Sequence, residues 1–128
     1  MTTKDLYHEA LADYRENRPD QAVEKLKKLL EEISGFEDAY EALAVILYQQ
    51  KKYDEAIELI KKWIAVNYES VMAHTNLSRC YVAKQMILEA EHEQAEARRL
   101  TWKAELTAKK IDMPKIDYAE KIERYTLK

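Results

Sequence analysis

Ala22, Ala56 and Ala90 stand 34 residues apart, and their neighbours keep step. Asp20-Gln21-Ala22-Val23 returns as Asp54-Glu55-Ala56-Ile57 and, more faintly, as Leu88-Glu89-Ala90-Glu91. The same step aligns Ala10 with Ala44 and Ser78, Ala39 with Ala73, and Leu43 with Leu77. It also aligns Leu6 with Tyr40 and His74, Leu26 with Ile60 and Gln94, and Leu29 with Trp63 and Ala97. Small residues return to small columns and bulky ones to bulky columns. Helices that pack at a repeated close approach require this, because the point of approach needs a small side chain and the space beside it a large one. One glycine and two prolines in 128 residues are too few for a turn-rich β protein. The period therefore predicts stacked helical hairpins, each covering the apolar face of the next.

The columns resemble the tetratricopeptide repeat (TPR) family. The clearest unit is Ala39-Tyr40, Leu43-Ala44, Leu47-Tyr48, Tyr53 to Ala56, Ile60 and Trp63; a second runs through Leu77-Ser78, Tyr81, Ala90 and Ala97. The resemblance covers about residues 3–104 and implies an all-α solenoid of antiparallel helix-turn-helix hairpins. Its repeats fall at about 3–36, 37–70 and 71–104, followed by an extension, 105–128, with a C-terminal capping helix, all in one domain. Leu29 and Trp63 stand where the family prefers a small residue, and no unit has its usual inter-repeat proline, Tyr68 occupying one such place. The opening helix reads as shifted by one residue, with Tyr7, Ala10, Leu11 and Tyr14 as its apolar stripe.

Local signals place helices over about 3–16, 19–33, 37–50, 53–66 and 70–84, with a turn at Gln85. Pro19 suits a first helical position, and Gly35 reads as a left-handed cap closing the second helix. Between Arg98 and Ala104, where another inter-repeat turn is due, there is no Gly, Pro, Asn or Asp. One long helix is therefore expected over 86–111, with Ala90, Ala97 and Ala104 as a small-residue stripe. Pro114 stops it, and Asp117 with Glu120 forms a capping box for a last helix over 117–127.

No apolar run approaches the ~20 residues of a membrane span, the N-terminus has no signal-peptide core, and the single Cys80 allows no internal disulfide. These features favour a cytoplasmic protein. Residues 98–128 hold nine Lys/Arg against five acids, a net of +4, which leaves −7 for the rest of a chain at −3. A basic tail on an acidic body suits docking onto a repeat surface of its own or a neighbouring chain, so a homo-oligomer is the alternative to a partner-binding scaffold. With an overall pI near 5.7 and no basic patch interleaved with aromatics, nucleic-acid binding is disfavoured.

Catalytic patterns are missing. His74 and Cys80, six apart on one helix, point about 240° apart, and His92 sits between Glu91 and Glu93. There is no His-x3-His, no paired-cysteine spacing and no glycine-rich phosphate loop. A small catalytic or cofactor-carrying subunit is the least favoured reading; no enzyme, metal or cofactor is expected.

What the resemblance implies instead is a concave groove lined by the first helix of each hairpin, receiving a protein or peptide partner. Its candidate residues are Tyr7, His8, Leu11 and Arg15, with Lys4; Asp38, Glu41, Val45 and Gln49, with Ala42; and Met72, Thr75, Asn76 and Arg79, with Ala83. Tyr48 stands at the border of groove and core, with the core favoured. Chaperone-binding relatives clamp an acidic C-terminus with Lys, Asn and Arg. Only Asn76 matches that pattern, so a chaperone co-adaptor is not expected.

Overall fold

A computed structural model describes residues 2–110, which form six helices: α1 (Thr3–Arg15), α2 (Pro19–Glu32), α3 (Glu37–Gln49), α4 (Tyr53–Val66), α5 (Val71–Ala83) and α6 (Ile87–Ala108). They pair as three hairpins, α1/α2, α3/α4 and α5/α6. Each hairpin packs onto the next through α2 against α3 and α4 against α5, and α3 also touches α5. The result is an all-α solenoid. The small columns sit at the closest approaches: Ala10, Ala22, Ala39, Ala56 and Ala73 are fully buried. Ser78 shares this column with Ala10 and Ala44, and its hydroxyl donates to the Ala90 carbonyl across the α5/α6 contact at 2.9 Å.

The turn inside each hairpin repeats with the sequence period. Asn17, Lys51 and Gln85, 34 residues apart, all have φ near +62°. Around each, two backbone bonds reach back into the preceding helix. At the first, Asn17 N–H donates to the Tyr14 carbonyl and Arg18 N–H to that of Asp13; Lys51 and Lys52 bond to Tyr48 and Leu47, and Gln85 and Met86 to Val82 and Tyr81. This is the Schellman closure, which ordinarily has glycine at the left-handed position. Here the chain uses Asn, Lys and Gln, at a local cost of about 1–2 kcal/mol for each non-glycine residue.

Gly35 does not close α2 in the left-handed form: no glycine of the described residues has a positive φ. The turn between hairpins instead has Ile33 in extended conformation, and Phe36 N–H donates to the Ile33 carbonyl, which needs no left-handed residue. Asn67, one period on, is likewise extended. The tyrosine hydroxyl of Tyr40 accompanies the first of these turns, donating to the Ser34 carbonyl at 2.9 Å.

The opening helix is not shifted. Ala10 is fully buried in the common register, and the buried place held by Leu47 and Tyr81 is filled in α1 by Asp13, only 4% exposed. Lys25 and Arg18 make this possible. Lys25 Nζ donates to Asp13 and to Glu9, and Arg18 Nη2 donates to Asp13 at 2.9 Å. The Lys25 bond first, and Arg18 second, hold the Asp13 carboxyl below the usual carboxylate range. A charged residue is buried only when paired, and sequence alone does not display the partners.

Polar pairs also anchor the hairpin joints. Glu37, at the start of α3, accepts from Trp63 Nε1 at 2.9 Å and from Asn67 Nδ2 at 3.1 Å, while Trp63 stacks on Tyr40. In the third hairpin His74 replaces Tyr40 and is 1% exposed. Its Nδ1 lies 2.6 Å from Glu93 and its Nε2 lies 2.8 Å from the Tyr68 carbonyl, with the Tyr68 ring edge-on against it. The Tyr68 hydroxyl donates to Glu96 at 2.6 Å, and Arg99 donates to the same carboxylate.

The long last helix is present, 22 residues against 13 in α5, or about 33 Å against about 20 Å. Ala90 and Ala97 are buried against α5, but Ala104 is exposed because α6 has outrun its partner by that point. The columns that hold Ile60 and Ile64 in α4 hold Gln94 and Arg98 in α6, so this face carries polar groups where a further hairpin would need apolar ones. The helix expected over 117–127 lies outside the described residues.

Two outcomes follow from these turns and pairs. Lys51→Gly or Gln85→Gly should raise unfolding stability by about 0.5–1 kcal/mol, the relief of left-handed strain less the added chain entropy of glycine. An unchanged or lowered denaturant midpoint would contradict this reading of the turn. Arg99 first, then Tyr68, pull Glu96 from 4.5 down to about 2. A carboxyl depressed on folding contributes stability that is complete above its unfolded value and is lost as pH falls through the folded one. Thermal midpoints of Glu96→Gln should therefore fall less steeply than those of the parent between pH 4.5 and 2; equal slopes would count against the pair.

Candidate functional site

The face shared by α1, α3 and α5 differs from the rest of the surface. Positions one period apart put Tyr7, Glu41 and Thr75 in one row, Leu11, Val45 and Arg79 in the next, and Arg15, Gln49 and Ala83 in another. Residues facing outward along a helix recur at three and four, so the face is repeated on all three helices.

Two contacts join its helices laterally. Tyr7 of α1 packs edge-on against Phe36 at 5.4 Å. Burial first, and then the Asp38 and Glu41 carboxylates of α3, push the Tyr7 phenol up from its ordinary value. At the other end, the Arg79 guanidinium of α5 lies over the Tyr48 ring of α3, 5.0 Å from its centroid. Tyr48, expected at the border of groove and core, is half-buried and forms the platform for Arg79.

The predicted residues divide by exposure. His8, Arg15, Asp38, Gln49, Thr75 and Arg79 are exposed, and so is Lys4. Tyr7, Leu11, Glu41, Val45, Ala42 and Ala83 are half-buried, forming the floor. Met72, 50% exposed, belongs to the face, and Val82, 55% exposed, joins it one turn beyond Arg79. Val82 falls in the column of Tyr14 and Tyr48, which is the signal that could have nominated it. Asn76 is the exception: it is 8% exposed, and its Nδ2 donates to the Met72 carbonyl of its own helix at 3.0 Å. Thr75 is tied similarly, its hydroxyl donating to the Val71 carbonyl at 2.9 Å.

The charges of this face are distinctive. Among the described residues, Lys4, His8, Arg15, Asp38, Glu41 and Arg79 make no salt bridge; the ion pairs present lie elsewhere on the hairpins. A mixed acidic and basic face with apolar side chains between the charges can receive a polypeptide through both contact types. It holds no reactive cluster: among the described residues, no group of three His, Cys, Asp or Glu side chains could hold a metal ion. Burial pushes the Cys80 thiol up to about 11, away from the thiolate form a nucleophile uses. No helix among the described residues is long and apolar enough to cross a membrane.

Comparison with known proteins gives the same architecture. A tetratricopeptide repeat family model matches residues 13–74. No curated protein matches the sequence. A structure of MamA superposes with a TM-score of 0.76 at 20% identity, over 80% of this chain and 60% of the MamA chain, so the present chain spans about three-fifths of that length. The first TPR of Spaghetti (RPAP3), bound to the HSP90 peptide SRMEEVD, matches at 0.72 and 16% identity, over 77% of this chain and 78% of that one. The type III secretion translocator chaperone SycD of Yersinia enterocolitica, in its alternative dimer, matches at 0.74 and 19% identity, over 84% and 85%. At such identities the likeness concerns fold. Joined to the 34-residue register, the stacked hairpins and the repeat model matched over residues 13–74, it shows that this chain has the fold of tetratricopeptide repeat proteins.

Proposed function

We propose that the chain is a non-enzymatic adaptor that holds a partner polypeptide in the groove lined by α1, α3 and α5, as a single repeat domain acting in the cytoplasm. The observation that carries this reading is the outward face of α5. Met72 and Val82 are half exposed on either side of Arg79, which is itself held against Tyr48 of the neighbouring hairpin. Apolar side chains kept in water beside an ordered guanidinium are the composition of an interface centre, where aromatic, Met and Arg residues are enriched. The unpaired charges of the same face support it, since each can meet a complementary group without first breaking an internal ion pair. The match to a tetratricopeptide repeat model supports the class of activity: tetratricopeptide repeat proteins are generally protein-binding scaffolds, and one structural neighbour was solved with a peptide bound.

The test is a double substitution on the face. Val45→Asp with Arg79→Glu, both on positions that are not fully buried, should leave the fold intact by circular dichroism. Removing two central contacts of about 1–3 kcal/mol each should lower recovery of the native partner from a lysate at least tenfold. A variant that is folded and recovers the same partner at the same level would place the binding surface elsewhere.

A further inference from the structure

We infer that the partner segment engages this face through a single carboxylate flanked by apolar residues, with Arg79 as its receiver; this rests on the groove reading above and goes beyond it in naming the chemistry. Arg79 is exposed, yet its position is set: one face of the guanidinium lies on the Tyr48 ring at 5.0 Å. Among the described residues it makes neither a salt bridge nor a hydrogen bond, so its edge N–H groups are uncommitted. A planar fork held by stacking has lost part of its rotamer freedom before any ligand arrives, and that fork matches a carboxylate in two-point geometry.

The neighbours of Arg79 define the flanks. Met72 is seven residues before it and Val82 three after it on the same helix. At 1.5 Å per residue these lie about 10 Å and about 4.5 Å along the axis. A segment running extended along α5, rising ~3.3 Å per residue, would place an apolar side chain three residues to one side of the acid and another one or two to the other side. Val45, in the Arg79 column on α3, belongs to the same floor. Asp38 and Glu41 lie toward the opposite end of α3 and, without an ion-pair partner among the described residues, disfavour a multiply charged anion. They also fix polarity, so that a basic residue in the segment belongs at their end and the acid at Arg79. The anchor is independent of Asn76, whose amide is already spent on the Met72 carbonyl.

The probe is a phage-displayed library of random dodecapeptides selected on the full chain, with binders re-measured as synthetic peptides against Val45→Asp and Arg79→Gln. The expected result is that peptides lost with Val45→Asp are enriched in one Asp or Glu with apolar residues near the spacing above. These peptides should bind Arg79→Gln about tenfold more weakly, as should their own Glu→Gln versions bind the parent, with partial recovery by Arg79→Lys. Such a loss corresponds to one charge-assisted hydrogen-bonded contact. Peptides that depend on Val45 but carry no acid, or bind Arg79→Gln equally, overturn the carboxylate anchor and leave the groove standing. A selection whose peptides ignore both substitutions, or that yields none, overturns the anchor and the groove together. Unfolding midpoints of Arg79→Gln should fall by no more than the loss of one exposed cation–π contact on Tyr48 accounts for; a larger drop would reassign Arg79 to structure.

Discussion

Close approach of helices at small side chains is the constraint on which the rest of this molecule depends. Ala10, Ala22, Ala39, Ala56 and Ala73 have no exposed surface, and each marks a place where two helices meet. A larger side chain at any of them would force the hairpins apart and cost about 1–3 kcal/mol. Because the same close contact recurs every 34 residues, the same rotation between hairpins recurs with it. The outward faces of α1, α3 and α5 are then held in one register. The candidate binding face is in this sense a by-product of alanine packing: side chains that touch no ligand decide where Tyr7, Val45 and Arg79 stand relative to one another.

Within that frame the three hairpins are not copies. The columns of Leu47 and Leu59 hold apolar residues in the second hairpin, Asp13 and Lys25 in the first, and Tyr81 and Glu93 in the third. In the first, two cations satisfy the buried carboxylate of Asp13. In the third, Glu93 turns to His74, which also meets the Tyr68 carbonyl. Each ion or hydrogen-bond pair bridges the two helices of one hairpin or the joint behind it. Such pairs add little net stability over an apolar pair of similar volume, but they are unforgiving of mispairing. Their effect is to give the first and third hairpins polar pairings of their own between their two helices, which a strictly repeated sequence would lack.

The period made the helices, their pairing and most of the outward positions legible, since all of these follow from local spacing. The long helix past Arg98 was legible for the same reason, as a missing turn signal. Asp13 was not, because a charged side chain reads as outward until Lys25 and Arg18 are brought to it by the fold. Gly35 misled for a related reason: glycine permits a left-handed turn without requiring one, and the turn it occupies closes through Ile33 and Phe36 instead. Asn76 has the spacing of a groove residue, but its amide finds a nearer acceptor in its own helix.

By itself the sequence determined an all-helical repeat, because a 34-residue recurrence of side-chain size can be satisfied only by hairpins that stack. Tertiary structure decided what the exposed face consists of. That Arg79 rests on Tyr48, that Val82 lies open beside it, and that Lys4, Asp38, Glu41 and Arg79 keep their charges unpaired depends on distances between helices. Those distances are set by how deeply the alanines let the hairpins interpenetrate, a property of pairs of helices that no single stretch of chain encodes.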